Sequence, residues 1–277
     1  MDNKFLEVAV ETAVEAGGIL LAEFDRPVKI SYKGEVDLVT QADRRSEDAI
    51  VGRLRRYFPK HSIVAEEGSG QQGDSDHRWI VDPLDGTTNF AHGYPCFAVS
   101  IGLEEAGELL VGVIYQPITK ELFTAARGGG AYLNERRIEV SKIDRLSTSL
   151  LATGFPSAKR ARNPNIHFYW NFTLRSHGVR RDGSAALDLA SVACGRFDGF
   201  WEFGLHPWDT AAGVLLVREA GGMVTTFSGQ PYRTGDYETL ASNGRIHTEL
   251  HQVATEIQQG ITDGVEVPEK PAVRDAE

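Results

Sequence analysis

Two aspartates separated by two residues have the clearest chemical potential in this sequence. Asp82 and Asp85 follow an apolar run that predicts a buried strand, and Pro83 between them predicts that the strand ends at Asp82. The two carboxylates and the Leu84 carbonyl can then face one space, and hard cations such as Mg²⁺ prefer oxygen ligands of this kind. Gly86 begins a stretch of free backbone N–H groups at a predicted helix start, where a phosphate oxygen can bind. This combination indicates metal-assisted phosphoryl chemistry.

A plain turn is the alternative, because Asp-Pro and Asp-Gly are ordinary turn dipeptides and loop carboxylates are usually just solvated. The complete run is more specific. Residues 82–90 read D-P-L-D-G-T-T-N-F and resemble the core motif of the inositol monophosphatase family of Mg²⁺-dependent, lithium-sensitive phosphatases. Two further family motifs occur in the expected order: an acidic pair within residues 65–68, and W-D-T-A-A-G at 208–213 followed by E-A-G-G at 219–222.

The resemblance implies a set of metal ligands. It assigns Glu66, Asp82 and the Leu84 carbonyl to one Mg²⁺, and it assigns Asp82, Asp85 and Asp209 to a second. A third, weaker ion is expected near Glu66, so the site would hold about two to three ions. Paired metal ions can stabilise both the attacking and the leaving oxygen of a phosphate ester.

The resemblance also implies which residues handle water and phosphate. Thr87 would orient the nucleophilic water with help from Glu66 or Asp43, and Gly86 and Thr87 would bind the phosphate. Residues 40–43 have the spacing of a helix capping box, so capping and catalysis both stay open for Asp43.

Residues in the second half are implied to contact the rest of the substrate. Glu202, seven residues before Asp209, and the small residues that open a helix at 183–186 match the inositol-specific members. Thr88, where other members have lysine, favours the same branch. A mobile-loop lysine, Lys33, is a possible further contact, although a loop lysine is normally just solvated. The implied substrate contacts are Asp85, Gly183, Ser184, Ala185, Glu202 and Asp209.

The expected substrate is therefore a small polyol phosphate, with myo-inositol 1-phosphate first. Fructose 1,6-bisphosphate, histidinol phosphate and a 3′-phosphoadenosine nucleotide are the alternatives within the same chemistry. A different class of function also stays open, because some bacterial relatives act in transcription or ribosomal RNA maturation through protein contacts.

Composition limits the functional classes. The net charge of −10 over 277 residues argues against nucleic-acid binding, which needs basic surface. Cys96 and Cys194 lie among apolar residues without metal-ligand spacing, which predicts buried free thiols. Neither a leader nor an apolar run of membrane-spanning length is recognisable, so we expect a cytoplasmic protein. Family members are commonly homodimers, which we also expect here.

The elements that must position these residues alternate along the chain. Apolar periodicity predicts helices at 5–24, 40–58, 164–177, 184–194, 208–220 and 246–259. Strands are predicted at 96–103, 109–116, 121–126, 138–141, 150–153, 198–203 and 223–227, and a strand pair or mobile loop at 29–39.

This alternation predicts a layered α/β fold, which the resemblance refines to a five-layer α/β/α/β/α sandwich. We expect one domain over 1–265, with a larger half at 1–145 and a second half at 146–265 that completes the cleft. Residues 266–277 are expected to be a disordered tail.

Overall fold

The computed structural model describes residues 3–24, 30–32, 38–155 and 163–260. Within these ranges the helices are α1 Asn3–Phe24, α2 Gln41–Tyr57, α3 Thr87–Ala91, α4 Asn165–Arg175, α5 Ala185–Ala193, α6 Pro207–Glu219 and α7 His247–Gln258. The strands are β1 Ile30–Tyr32, β2 Leu38–Thr40, β3 Ser62–Ala65, β4 His77–Asp85, β5 Ala98–Glu105, β6 Glu108–Gln116, β7 Glu121–Ala126, β8 Gly130–Leu133, β9 Arg136–Ile138, β10 Leu150–Thr153, β11 Gly178–Arg180, β12 Gly199–Phe203, β13 Met223–Thr225 and β14 Glu238–Ser242.

Two large sheets organise the described chain. The first has seven strands in the order β3 to β9, with β3 and β4 parallel and every later neighbour antiparallel. The second has five strands in the order β11-β10-β12-β14-β13 and is mixed. Strands β1 and β2 form a separate antiparallel pair, which confirms the strand pair predicted for this region.

Helices cover both faces of each large sheet. On the seven-stranded sheet, Val99 and Ile101 pack against α1 and α2, whereas Ile80 and Ile114 face the opposite core with α5 and α6. The five-stranded sheet covers the other side of α5 and α6, and its far face packs against α4 and α7 around the buried side chain of Trp201. The predicted five-layer α/β fold is thus confirmed, and burial on both faces explains why the strands read as continuous apolar runs.

Helix α6 lies against the seven-stranded sheet at unusually short range. A Cβ added at Gly102 would lie 2.8 Å from Ala211 Cβ, and one at Gly112 would lie 2.7 Å from the Ala212 carbonyl oxygen. The two glycines face each other across β5 and β6, so they form a groove that receives the helix. This groove fixes the start of α6, where Asp209 is located.

The bounds of two strands were predicted wrongly. Strand β4 does not end at Asp82 but continues to Asp85, with a shift of register against β5 between these two residues. The shift inserts one extra residue into β4, and a bulge of this kind tolerates Pro83 because it interrupts the ladder of hydrogen bonds. The strand predicted at 138–141 is found at Arg136–Ile138 instead.

Several short strands were not predicted, namely β3, β8, β11 and β14. Cys96 and Cys194 are free thiols, as predicted, but they are half-buried and not fully enclosed. No helix in the described ranges is long and apolar enough to span a membrane. Lys33 and the tail at 266–277 lie outside the described residues.

The groove under α6 predicts a stability effect. Gly112→Ala should lower the free energy of unfolding by about 1–3 kcal/mol, because the new methyl group meets backbone atoms that cannot move away easily. The matched control is Gly52→Ala in α2, where an added Cβ meets nothing within 4 Å. That exposed helical change should raise stability by about 0.5–1 kcal/mol. Urea unfolding of both variants measures this, and an unaltered midpoint for Gly112→Ala would contradict the close packing.

Candidate active site

The end of β4 places two acidic side chains inside the protein. Asp82 is 2% exposed and Asp85 is 9% exposed. The Asp82 Oδ1 atom accepts a hydrogen bond of 3.0 Å from the Leu84 backbone N–H, so the bulge itself orients this carboxylate. The Pro83 carbonyl accepts a 2.8 Å hydrogen bond from the Ser46 hydroxyl, which ties the bulge to α2.

A tight turn carries the chain from β4 into α3. Gly86 has a φ of 93°, and a Cβ there would lie 2.8 Å from the Cys96 carbonyl oxygen. Both the backbone conformation and the lack of space therefore require glycine. The turn directs the Thr87 hydroxyl to within 3.1 Å of Asp43 Oδ1 and 3.0 Å of the Leu84 carbonyl. Asp43 itself is fully buried at the start of α2. The structure therefore brings together two of the residues that were expected to act on water, Thr87 and Asp43.

Asp85 is held by the start of α5. Its Oδ2 atom accepts hydrogen bonds from the Ser184 hydroxyl at 2.5 Å and from the Ala186 backbone N–H at 2.7 Å. Ser184 is also the N-cap of α5, and its hydroxyl accepts a hydrogen bond from the Leu187 N–H. One hydroxyl thus joins the end of a strand in the first sheet to a helix between the sheets.

Asn89 is a second link between the two halves of the site. Its side-chain amide donates to the Cys96 carbonyl at 2.7 Å and to the Asp182 carbonyl at 2.8 Å. Sequence reasoning did not single out Asn89, because its partner Asp182 is distant along the chain. Its position next to Thr88 in the motif was the one available signal.

Asp209 enters the site from the first turn of α6. Its Oδ2 atom accepts a 2.7 Å hydrogen bond from the His206 backbone N–H, and this contact caps the helix. The His206 and Trp208 rings stack at 4.8 Å between centroids, and the Trp208 carbonyl accepts a bond from Ser100. Trp208 and His206 therefore support the turn that carries Asp209.

Glu66 lies on a loop that α2 holds in place. The Glu47 carboxylate accepts hydrogen bonds from the backbone N–H groups of Glu67 at 2.6 Å and Ser69 at 2.7 Å. Glu47 is fully buried and was not identified from the sequence. Its spacing of four residues from Asp43 on the same helix was the only signal, and a buried glutamate at that spacing is not by itself distinctive.

Repulsion between carboxylates dominates the electrostatics of this region. Burial raises the pKa of Asp82 well above its usual range, and the nearby charges of Glu66, Asp85 and Asp209 raise it further. Burial and the charge of Asp209 raise the pKa of Asp85 to about 7, although its hydrogen bonds from Ser184 and Ala186 oppose this shift. Four acids that interact so strongly need a positive partner when all are ionised.

The donor set fits a hard divalent cation. The acids offer carboxylate oxygens together with the Leu84 carbonyl, and Mg²⁺ prefers oxygen donors. In the described part of the chain, no three His, Cys, Asp or Glu side chains already enclose a metal position. The fit therefore rests on donor chemistry and on the mutual repulsion that a bound cation would relieve.

A cleft of about 1040 Å³ opens beside these acids. Asn89 and Thr88 line it, together with all of the predicted substrate contacts: Asp85, Gly183, Ser184, Ala185, Glu202 and Asp209. Glu66, Asp82, Asp43 and Thr87 lie behind this lining. Two of the acids, Asp85 and Asp209, thus share the cleft with a polar wall that Glu202 and the start of α5 form.

Comparison with known proteins agrees with this geometry. The family model described as the inositol monophosphatase family matches residues 1–259. The chain belongs to the inositol monophosphatase family. It is 47% identical over 252 residues to inositol-1-monophosphatase of Synechocystis sp. PCC 6803, which covers 90% of this chain and 88% of that protein. It is also 47% identical over 248 residues to Nus factor SuhB of Escherichia coli K12, covering 88% and 93% of the two chains.

Solved structures of the same family share the fold. Inositol monophosphatase from Anabaena (Nostoc) sp. PCC 7120 superposes with a TM-score of 0.83 at 46% identity and covers 92% of this chain and 96% of its own. The extragenic suppressor protein suhB from Bartonella henselae gives a TM-score of 0.86 at 45% identity, with 91% and 99% coverage. As a member of the inositol monophosphatase family, this protein is a phosphatase of a metal-dependent family.

The raised pKa of Asp85 predicts how the metal-free protein responds to pH. Because its pKa rises from 3.8 unfolded to about 7 folded, the folded state holds the proton more tightly. The stability that the folded state gains by binding this proton is fully present below pH 3.8 and is lost as the pH rises through about 7. In chelator at pH 8, Asp85→Asn should therefore be more stable than the wild type by on the order of 2 kcal/mol, with the gap closing towards pH 4.

Thermal unfolding of both proteins between pH 4 and pH 8 measures this difference. The asparagine oxygen can still accept the bonds from Ser184 and Ala186, so the variant keeps the local structure. A wild type that gains stability relative to Asp85→Asn as the pH rises would show that Asp85 is not a destabilising buried charge.

Proposed function

We propose that this phosphatase hydrolyses myo-inositol 1-phosphate and related polyol phosphates to the free polyol and phosphate, by direct attack of water. One observation carries the proposal: the buried acids Asp82 and Asp85 lie at a cleft whose polar wall is formed by Glu202 and the start of α5. The acids account for phosphate chemistry, and the wall accounts for recognition of a hydroxylated leaving group.

The proposed metal ligands are the acids at the junction of the two sheets and one carbonyl. When bound, Mg²⁺ ions would lower the pKa of water and offset charge on the phosphate and the leaving oxygen. The residues that would hold about two to three ions are Glu66, Asp82, Leu84 through its carbonyl, Asp85 and Asp209. Bonds from Ser184 and from the His206 N–H fix two of these acids, so little reorganisation is needed on binding.

Thr87 and Asp43 are proposed to orient the attacking water. The Thr87 hydroxyl donates a hydrogen bond to Asp43 Oδ1, 3.1 Å away. The lone pairs of the threonine oxygen then accept a hydrogen bond from water. Glu66 is proposed to help to remove the proton. The backbone N–H groups of Gly86 and Thr87 are proposed to bind the phosphate oxygens at the start of α3.

Several finer expectations belong to the same proposal. Inhibition by Li⁺ in competition with Mg²⁺, assembly as a homodimer, and contact of Lys33 with the site all follow from the family resemblance. Fructose 1,6-bisphosphate, histidinol phosphate and a 3′-phosphoadenosine nucleotide remain the alternative substrates, and a side-by-side kinetic panel with Mg²⁺ distinguishes them.

A second candidate function has one specific observation in its favour. Relatives with 47% identity include a protein named Nus factor as well as one named inositol-1-monophosphatase, so similarity alone does not choose between them. A role as a regulatory protein-binding factor is therefore compatible with the same fold. Capture of partners by an inactive Asp85→Asn variant, at the level seen with the wild type, would support this second role.

The metal assignment predicts a large loss of activity. Asp85→Asn removes one anionic ligand and should lower kcat for inositol 1-phosphate on the order of 10³-fold. Excess chelator should abolish the wild-type activity, and added Mg²⁺ should restore it. Asp198→Asn is a matched control, because Asp198 is also buried but lies away from the cleft. Its carboxylate accepts hydrogen bonds from the Ser141 hydroxyl and the Leu150 N–H. Comparable losses in both variants, or full activity in chelator, would remove the basis for the assignment.

The binding wall predicts a change of substrate preference. Glu202 is buried and lines the cleft, so Glu202→Gln should weaken a charge-assisted hydrogen bond to a polyol hydroxyl. The kcat/KM for inositol 1-phosphate should fall about tenfold, several times more than that for p-nitrophenyl phosphate, which has no hydroxyls to bind. Parallel losses on both substrates would place Glu202 in the catalytic or structural framework instead.

A further inference from the structure

One buried face of α2 contacts three separate parts of the candidate active site. Asp43, Ser46 and Glu47 are spaced three and four residues apart, so their side chains leave the helix on the same side, and all three are fully buried. Asp43 is the partner of Thr87, and Ser46 is the partner of the Pro83 carbonyl in the bulge of β4. The proposed chemistry gives Glu47 no role.

Glu47 uses both of its carboxylate oxygens on one loop. Its Oε2 atom accepts a 2.6 Å hydrogen bond from the Glu67 N–H, and its Oε1 atom accepts a 2.7 Å hydrogen bond from the Ser69 N–H. Both bonds are as short as those to an ionised acceptor usually are. A glutamine at this position has a single acceptor oxygen, and its NH₂ group would face the second backbone N–H. The loop contact therefore requires a carboxylate.

The loop held in this way carries Glu66 at its start. The Glu66 N–H donates to the Val81 carbonyl of β4 at 3.3 Å, and the next N–H in the chain, that of Glu67, donates to Glu47. The main chain at Glu66 is thus fixed between β4 on one side and α2 on the other. From this position the Glu66 side chain reaches Asp82, with which it shares a hydrogen bond. A shift of the loop away from α2 would move the two carboxylates relative to each other.

Arg55, two turns further along α2, holds the other end of the loop. Its guanidinium donates to the Ser69 carbonyl at 2.7 Å and to the Gln71 side-chain oxygen at 2.9 Å. Gln71 also exchanges two backbone hydrogen bonds, of 2.8 and 2.9 Å, with Ile63 of β3. Arg55 is exposed, whereas Glu47 is buried and holds the part of the loop next to Glu66.

We propose that Glu47 is a positioning residue for Glu66, and that it sets the affinity for the divalent cation that Glu66 would bind. The inference rests on the proposed function, because it needs Glu66 to be a metal ligand. Groups that hold a ligand in place change metal affinity by about 10- to 100-fold when they are removed. Because α2 also carries Asp43, one helix then aligns a metal ligand with a group that orients water.

Direct measurement of Mn²⁺ binding tests this proposal. The electron paramagnetic resonance signal of free Mn²⁺ gives the number and the affinity of bound ions without any turnover. Glu47→Gln should weaken one class of bound Mn²⁺ about tenfold and leave the other ions unchanged. Glu104→Gln is the matched control and should bind Mn²⁺ as the wild type does. Glu104 is also buried, but it pairs with Arg78 near the start of β4, at the opposite end of this strand from the acids.

A double-mutant cycle separates positioning from a general loss of structure. Glu66→Gln removes the ligand itself, so adding Glu47→Gln to it should cause no further loss of Mn²⁺ affinity. Losses that multiply in the double variant would show that Glu47 acts independently of Glu66 and would contradict the proposal. In steady-state kinetics, Glu47→Gln should raise the Mg²⁺ concentration for half-maximal activity about tenfold, with a smaller change in KM for inositol 1-phosphate.

The outcomes also distinguish this inference from the proposed function. A wild type that binds no Mn²⁺ would contradict the metal assignment itself, whereas wild-type Mn²⁺ binding by a folded Glu47→Gln would contradict the positioning role alone. Thermal unfolding in chelator shows whether the variants fold. If Glu47→Gln does not, Arg55→Ala releases the same loop from its exposed end and should weaken the class of Mn²⁺ that is lost in Glu66→Gln. Unaltered Mn²⁺ binding by Arg55→Ala would then overturn the proposal.

Discussion

Mutual repulsion among the buried acids at the end of β4 is the interaction on which the rest of the site depends. Asp82 and Asp85 lie within the protein, and the charges of Glu66 and Asp209 act on them there. Uncompensated charges of one sign would drive a loosely packed site apart. Asp82, Asp85 and Asp209 are accordingly each fixed by hydrogen bonds from backbone or hydroxyl groups. The fold thus keeps in place a cluster whose like charges are costly, a cost that bound cations would relieve and that active sites commonly carry.

The layered architecture supplies the rigid frame for this cluster. Strand β4 presents its acids at a bulge, and α6 is seated so closely on Gly102 and Gly112 that the first turn carrying Asp209 has little freedom. Helix α5 begins at Ser184, whose hydroxyl is shared between capping and Asp85. The acids at the end of β4 and the start of α5 therefore meet at one hydrogen-bonded seam between the two sheets. Small displacements of any one layer would alter the separation of the acids.

Local patterns predicted some parts of this arrangement well and others not at all. Helices α5 and α6 were placed within one residue at each end, because periodic apolar residues and a serine cap or glycine stop mark them. The strand end at Asp82 was wrong because a bulge, which depends on the partner strand, carries the chain through Pro83. Strands such as β11, with three residues, are defined by their neighbours and not by their own sequence. The contacts by which Glu47 holds the loop of Glu66 likewise exist only in the folded chain.

The most direct measurement is the position of a bound cation. Crystals grown with Mn²⁺ as a substitute for Mg²⁺ can be measured at the manganese absorption edge, where the anomalous map shows the metal alone. We expect the strongest peak among the carboxylates of Asp82, Asp85 and Asp209, with a second position bounded by Glu66 and the Leu84 carbonyl. Bound Mn²⁺ at other residues, or no anomalous peak at these acids in crystals soaked at saturating Mn²⁺, would contradict the central claim that the buried acid cluster exists to hold metal ions.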